Sequence, residues 1–277
     1  MADGDKTSMA LRDWWAILWA FVVRDFRGKY AASILGVFWS VVNPLLLLAV
    51  FTFVFTAIFR IRLGAEPGFA GNALYIFCGV LPWMAFQESA QRATTVLIEH
   101  KNLVTRVRFP VSILPGSVVG SSLLSMIIGL GVLLLVLIIA RGTIPPTALL
   151  LPVMILFQAI FTLGIAWLIS SVNVFFRDLQ QLTPVGLMVW MYATPIFYSP
   201  SMVPEQLNLG PFEITHVHIF LTLNPLHHLI ACYRAILLDG AIPQLNNLLF
   251  LGIFSVLSFA IGGAVFNRGK LKFADIL

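Results

Sequence analysis

The sequence predicts an all-α membrane protein: six transmembrane helices, an N-terminal amphipathic interface helix, and re-entrant outer helices between spans five and six. Composition is the first reason, because 59% of the 277 residues are hydrophobic and only 10% are charged, which no soluble domain could bury. The second is a series of apolar stretches at about 33–59, 73–93, 111–140, 147–172, 182–199 and 244–266. A bilayer core roughly 30 Å thick asks for about 20 such residues per helix. The third is the placement of positive charge. With six crossings, 13 of the Lys and Arg residues fall on one side and 4 (Arg60, Arg62, Arg141, Arg234) on the other. The positive-inside rule then places both termini in the cytoplasm.

Residues 1–32 read as a cytoplasmic N-terminus with an interface helix, and 33–277 as one transmembrane domain. The start MADGDKTSMALRD is acidic and polar, unlike the basic region of a cleavable signal. Within 9–28, the apolar run Trp14 to Val23 is too short to cross and is bracketed by Arg12-Asp13 and Arg24-Asp25. Its tryptophans suit headgroup depth, and its arginines can snorkel.

Span one holds Asn43-Pro44 and span two holds Leu81-Pro82-Trp83; each proline removes a backbone hydrogen bond and is expected to kink or break its helix unless neighbours re-satisfy it. Span two ends in Gln87, Glu88 and Gln91, polar groups that imply a lined cavity. The following segment, about 96–109, sets Glu99, His100, Lys101, Arg106 and Arg108 on an amphipathic frame. Its spacing is compatible with a docking helix or with a solvated linker. Span three carries Gly116-x-x-x-Gly120, then Ser121, Ser125 and Gly129, a small-residue stripe that serves either internal packing or a dimer contact. Span four runs into Arg177-Asp178, and span five ends at Tyr192-Ala-Thr-Pro195-Ile-Phe-Tyr198.

The segment 217–238 is long enough to cross, yet Asn224-Pro225, His227-His228 and Arg234 interrupt it. Counting it as a span would put the basic tail Arg268, Lys270, Lys272 opposite the other basic loops. It reads instead as part of a re-entrant hairpin over about 200–243, irregular backbone that must face protein or water and that would serve as a gate or lid. Cys78 and Cys232 read as unpaired small apolar residues. His216, His218, His227 and His228 have no carboxylates or cysteines at ligand spacing, so a polar lining role is expected over metal binding.

No phosphate-binding glycine loop, nucleophile elbow, zinc motif or catalytic carboxylate pair occurs, and the span interiors hold no Asp, Lys or Arg. Chemistry and ion coupling are therefore poorly supported, which leaves a conduit powered by another chain. The basic residues sit in separate juxtamembrane loops, arguing for lipid contact and against nucleic acid. The aromatics Trp39, Trp83 and Tyr198 lie in or at the ends of spans. They read either as stacking faces for sugar rings or as ordinary belt residues.

The stretches RDFRGKYAASILGVFWSVVNPLLLLAVFTFVF, GVLPWMAFQESAQRATTVLIEHKNLVTRVRFPVSILP, SSVNVFFRDLQQL, TPIFYSP, LNPLHHLIACYRAILLDG and KFADIL together resemble the permease subunit of ABC-2 type exporters of bacterial cell-surface polysaccharides. The likeness runs from about Arg24 onward and is nearest to O-antigen and teichoic-acid permeases, with capsule permeases more distant. It implies a homodimer in the bacterial inner membrane with a channel at its interface, flanked by two separate ATP-binding subunits. ATP and Mg would sit on those subunits, with no cofactor on this chain and no catalytic role for it. The resemblance also implies that Glu99, His100, Lys101, Arg106, Arg108, Arg177 and Asp178 couple to the ATPase. Arg24, Asp25, Arg27 and Tyr30 would line the cytoplasmic entrance for an undecaprenyl-linked glycan. Trp39, Trp83, Tyr198, Asn224, Pro225 and His227 would serve channel and gate. Alternatives are a teichoic-acid or capsular polymer, a multidrug-type ABC-2 permease, or a scaffold or channel subunit without an ATPase.

Overall fold

In a computed structural model, residues 11–31, 33–58, 60, 69–106, 109–204, 206–209, 212–215 and 218–276 are described, with only the backbone given for Leu11, Phe69, Arg106, 206–209, 212–215, His218 and Ala274. The helices in order are α1 (Leu11–Gly28), α2 (Trp39–Thr52), α3 (Phe69–Glu99), α4 (Lys101–Arg106), α5 (Ile113–Arg141), α6 (Leu151–Phe175), α7 (Leu179–Ala193), α8 (His218–Thr222), α9 (Pro225–Leu237) and α10 (Leu245–Ile276). Four stretches among the described residues are long and apolar enough to cross a membrane: Gly36–Ile58, Ile113–Arg141, Pro146–Phe175 and Leu245–Phe273. The first joins a 3₁₀ turn, α2 and a π-helical turn, Phe53–Ile58.

The structure refines several expectations from the sequence. Neither proline breaks its helix: α2 continues through Pro44 and α3 through Pro82. Around Pro82 the neighbours supply polar contacts, since Gln158 Nε2 on α6 donates to the Pro82 carbonyl at 2.9 Å and Gln158 Oε1 accepts from Tyr233 on α9 at 3.0 Å. The fifth stretch is shorter than its apolar run: α7 stops at Ala193, where Thr194 turns to extended backbone ahead of Pro195. Its 15 residues reach only about 22 Å. The fold is helical as expected, with one small addition: Gln206–Leu209 (β1) and Phe212–Thr215 (β2) pair as an antiparallel hairpin. The 217–238 stretch is interrupted where its sequence suggested, α8 and α9 meeting at Asn224-Pro225.

Helix α3 is the axis of the bundle. Leu74, Phe77, Leu81, Trp83 and Phe86 are almost wholly buried and form one core with Leu133 of α5, Phe161 of α6 and Leu229 and Tyr233 of α9. A second cluster closes one end of the molecule, where Val96 and Leu97 of α3 meet Leu114 and Val118 of α5, Val174 of α6 and Phe266 and Phe273 of α10. Helix α1 lies along α5 with Val22 buried and Trp15 and Trp19 turned outward.

The small-residue stripe of α5 is used for internal packing. A Cβ at Gly120 would meet Val22 Cγ2 at 2.6 Å, one at Gly116 would meet Leu18 at 3.3 Å, and one at Gly129 would meet Leu81 at 2.5 Å. The closest backbone approach joins α6 to α10, where a Cβ on Gly262 would collide with the Gly164 backbone and one on Gly164 with that of Ser258. Backbone cannot yield as a side-chain tip can. Gly262→Ala is therefore expected to destabilise the protein by about 1–3 kcal/mol, read as a lower thermal midpoint in detergent. Gly131→Ala, whose added methyl meets nothing within 4 Å, should leave that midpoint unchanged.

Candidate functional site

Two cavities lie beside α3, and both are lined by Lys29 and Arg92. The larger, of about 620 Å³, is bounded by Phe21, Arg24 and Asp25 of α1 and by Val96, His100 and Leu103. The other, of about 480 Å³, runs past Tyr30, Trp39, Asn43 and Pro44 to Gln87, Gln91 and Ser122. Volumes of this order suit a ligand of modest size.

The shared wall is an ion-pair cluster. Arg92 donates to both Asp25 carboxylate oxygens, at 2.5 and 2.8 Å, and to Ser121 Oγ at 3.3 Å. Ser121 also donates to Asp25. Lys29 Nζ stands 2.6 Å from Glu88 Oε1, which is itself 3.6 Å from Arg92, one turn along α3. Burial pushes the Asp25 carboxyl up, but the hydrogen bonds from Arg92 and Ser121 outweigh it and hold the group below its ordinary range. For Lys29, burial dominates and lowers its pKa, with Glu88 opposing.

Residues 17–238 match the ABC-2 type transporter family. The chain belongs to that family. It is similar to the O-antigen export system permease protein RfbA of Myxococcus xanthus, 31% identical over 260 residues that cover 94% of each chain. Two permeases of the same name from Klebsiella pneumoniae are each 30% identical, with 92% of each chain covered.

In this ABC-2 transporter the four residues expected at an entrance take different positions. Asp25 anchors the ion-pair cluster, and Tyr30 lines the smaller cavity against Phe26. Arg24 lies over the Phe21 ring, 4.1 Å from its centroid, at the edge of the larger cavity. Arg27 is exposed. Glu88, Lys29 and Arg92 carry as much of the site as Asp25 does. Their charges are visible in the sequence, but nothing there pairs residues 67 positions apart.

Among the residues expected to couple, Glu99 is exposed at the end of α3 and accepts from Thr95 at 2.6 Å. His100 turns the chain, its Nδ1 donating to the Val96 carbonyl at 3.0 Å. Lys101 opens α4 and Arg106 ends it, while Arg108 lies outside the described residues. The segment is therefore not one helix over 96–109: its first turn belongs to α3, and α4 follows. Arg177 and Asp178 are exposed between α6 and α7.

Of the expected channel aromatics, Trp39 borders the smaller cavity and donates to Ser33 Oγ at 2.8 Å. Trp83 is 2% exposed, in the core beside Phe86, its indole donating to Gln87 at 2.7 Å. Within one chain it is packing. Tyr198 donates to the Tyr192 carbonyl at 3.2 Å. Asn224 ties α9 to α7: its Oδ1 accepts from Leu226 N–H at 3.1 Å and Trp190 Nε1 at 3.0 Å, and its Nδ2 donates to Thr194 at 2.9 Å. Pro225 then occupies the first helical position of α9, where a missing N–H costs nothing. Burial, with His228 and Arg234 nearby, pushes the His227 imidazole down to about 4, so it is neutral at physiological pH. His228 is engaged by Asn247 at 2.9 Å and the Thr222 carbonyl at 2.7 Å. His216 lies outside the described residues, as does the side chain of His218. Cys78 and Cys232 are both free and buried.

Sequence reasoning counted Arg234 only among the charges on the outer side and as a break in the 217–238 stretch. It is buried, its guanidinium donating to the Pro195 and Ile196 carbonyls at 2.7 and 2.8 Å and to the Tyr75 hydroxyl at 2.9 Å, with the Tyr75 ring 3.5 Å away. No signal in an amphipathic segment distinguishes a buried arginine from a solvated one.

The lowered pKa of Asp25 has a testable consequence. Its stabilising effect is complete above the unfolded carboxyl value of about 4 and is lost as pH falls through the lower folded value. Acidification below about pH 4 should loosen α1 from α3, seen as faster amide exchange over Leu11–Gly28. Asp25→Asn should abolish that acid-side step. Separately, Asn224→Ala should cost about 1–3 kcal/mol through the orphaned Trp190 and Leu226 donors, measured by thermal unfolding.

Proposed function

We propose that this chain is the membrane permease of an ATP-driven exporter that carries a lipid-linked O-antigen polysaccharide across the bacterial inner membrane. The observation that carries this reading is similarity to O-antigen export permeases along more than nine-tenths of both chains. Relatives sharing only a fold element would not align end to end.

On this reading α3 and α7 complete the four apolar spans to six, α7 being extended by the irregular backbone from Thr194 to Tyr198. The segment from β1 to α9 forms the re-entrant outer gate. One end of the bundle gathers Arg24, Lys29, Arg92, Lys101 and Arg177, close to the C-terminal part of α10, which bears Arg268, Lys270 and Lys272. That concentration supports a cytoplasmic face with both termini on it. Two permeases would pair with two ATP-binding subunits that hold ATP and Mg. The turn from Glu99 to Arg106, with Arg177 and Asp178, would receive their motion. Leu103 and Val104 on α4 pack on the cluster containing Val96, Phe266 and Phe273, so a push there would reach α3 and α10 together. A movement biases the channel only where the two nucleotide states contact it differently.

Purifying the tagged chain gently from its native membrane should recover a nucleotide-binding protein at about one copy per permease, and deleting the chain should remove surface O-antigen. Recovery of an intact chain with no such partner would overturn the reading. Glu99→Ala with Arg106→Ala is expected to leave the permease folded and ATP hydrolysis running while surface polysaccharide falls at least tenfold. Unchanged export would remove the coupling assignment.

A further inference from the structure

Helix α1 and the turn after it are held to α3 by charge. Two cations, Lys29 and Arg92, and two carboxylates, Asp25 and Glu88, alternate between the helices and cancel in sum. From α5 the cluster receives only hydroxyls, Ser121 at the pair and Ser125 in the smaller cavity. Beyond it α1 is held mainly by apolar contacts: Val22 in the notch at Gly120, Leu18 beside Gly116, and Phe21 against Phe109 with ring centroids 5.1 Å apart. Both cations face both cavities, and the larger cavity adds Arg24 and His100.

We propose that the Asp25–Arg92 and Lys29–Glu88 pairs form an exchangeable latch, in which a phosphate- or diphosphate-bearing ligand takes the two cations from their carboxylates and releases α1 from α3. The inference rests on the exporter reading for its biological setting and deepens it by assigning regulation to the entrance. A guanidinium fork beside an ammonium matches the oxygens of a phosphate. The cluster has no surplus positive charge, so an anion gains little until a pair opens. Binding and release of α1 are then one linked equilibrium, each favouring the other. The smaller cavity continues from these cations to Ser122, whose fully buried hydroxyl has no hydrogen-bond partner among the described residues, and to Asn43 and Gln91. Those groups are placed for the polar moiety attached to the phosphate.

The test uses the full chain in lipid nanodiscs with three probes: farnesyl diphosphate, inorganic pyrophosphate and farnesol. The latch predicts that farnesyl diphosphate binds and speeds amide exchange over Leu11–Gly28 at least severalfold. Asp25→Asn and Glu88→Gln keep side-chain shape but lose the charge and turn one accepting oxygen into an amide donor, so they release the cations. Each should bind the diphosphate about tenfold more tightly and show fast exchange before ligand is added. Lys29→Ala with Arg92→Ala should abolish binding. An equal response to inorganic pyrophosphate would assign the latch to soluble phosphate, and a response to farnesyl diphosphate alone would assign it to a lipid headgroup. Equal affinity in the wild type and both carboxylate variants would overturn the proposal, as would binding without change in α1 or a response to farnesol. These readouts need neither ATPase nor export, so failure of the latch is separate from failure of the exporter reading, which shows in copurification.

Discussion

Charge on a helix that runs through an apolar bundle has to be matched from within the protein, and in this chain that requirement falls on α3. Glu88 and Arg92 stand one turn apart on its otherwise buried length. Their partners are Asp25 near the end of α1 and Lys29 in the turn after it. Matching them fixes where α1 lies along α5, and the glycines of α5 allow it to come close enough. The two cavities follow from this arrangement, since the matched charges form the wall that both share. Removing either carboxylate would leave a half-buried cation uncompensated, which costs more than the pair itself contributes.

A second buried cation is accommodated differently. Among the described residues no carboxylate lies within hydrogen-bonding distance of Arg234; three carbonyls and the Tyr75 hydroxyl and ring take that place. A guanidinium solvated by backbone carbonyls has no anion to lose to a competing ligand. The contrast divides the molecule into a rigid part and an adjustable one. Helix α9 is fixed to α3 through Arg234, to α6 through Tyr233 and to α7 through Asn224. Helix α1 is held by ion pairs and small apolar contacts. Motion associated with transport is more readily placed at the ion-paired end than at the root of the hairpin.

Helix packing elsewhere follows from the absence of a hydrophobic drive between apolar helices in lipid, where close van der Waals approach takes its place. Gly164 and Gly262 bring α6 and α10 into backbone contact, and Gly129 admits Leu81 of α3 into the α5 surface. A pattern often read as a dimer motif is here occupied by α1 and α3 of the same chain. The exposed apolar faces of α2 and α7, with Leu46, Val50, Val185 and Val189, are left for lipid or a neighbouring subunit.

Much of this was legible in the amino-acid sequence, because it depends on composition and period. Membrane class, the apolar stretches behind the four spans, the short amphipathic first helix and the break at Asn224-Pro225 all follow from local chemistry. So does the polar end of α3, since Gln87, Glu88 and Gln91 interrupt an apolar run. Tertiary structure alone decided which distant groups meet. Continuity of helices through Pro44 and Pro82, the early end of α7 and the small β-hairpin depend on contacts that local propensity does not encode. The pairing of Asp25 with Arg92, the burial of Arg234 and the internal use of the glycine stripe are set by helix packing. Charge, hydroxyl and glycine look alike in sequence whether they face solvent, lipid or another helix, and only the packed bundle distinguishes them.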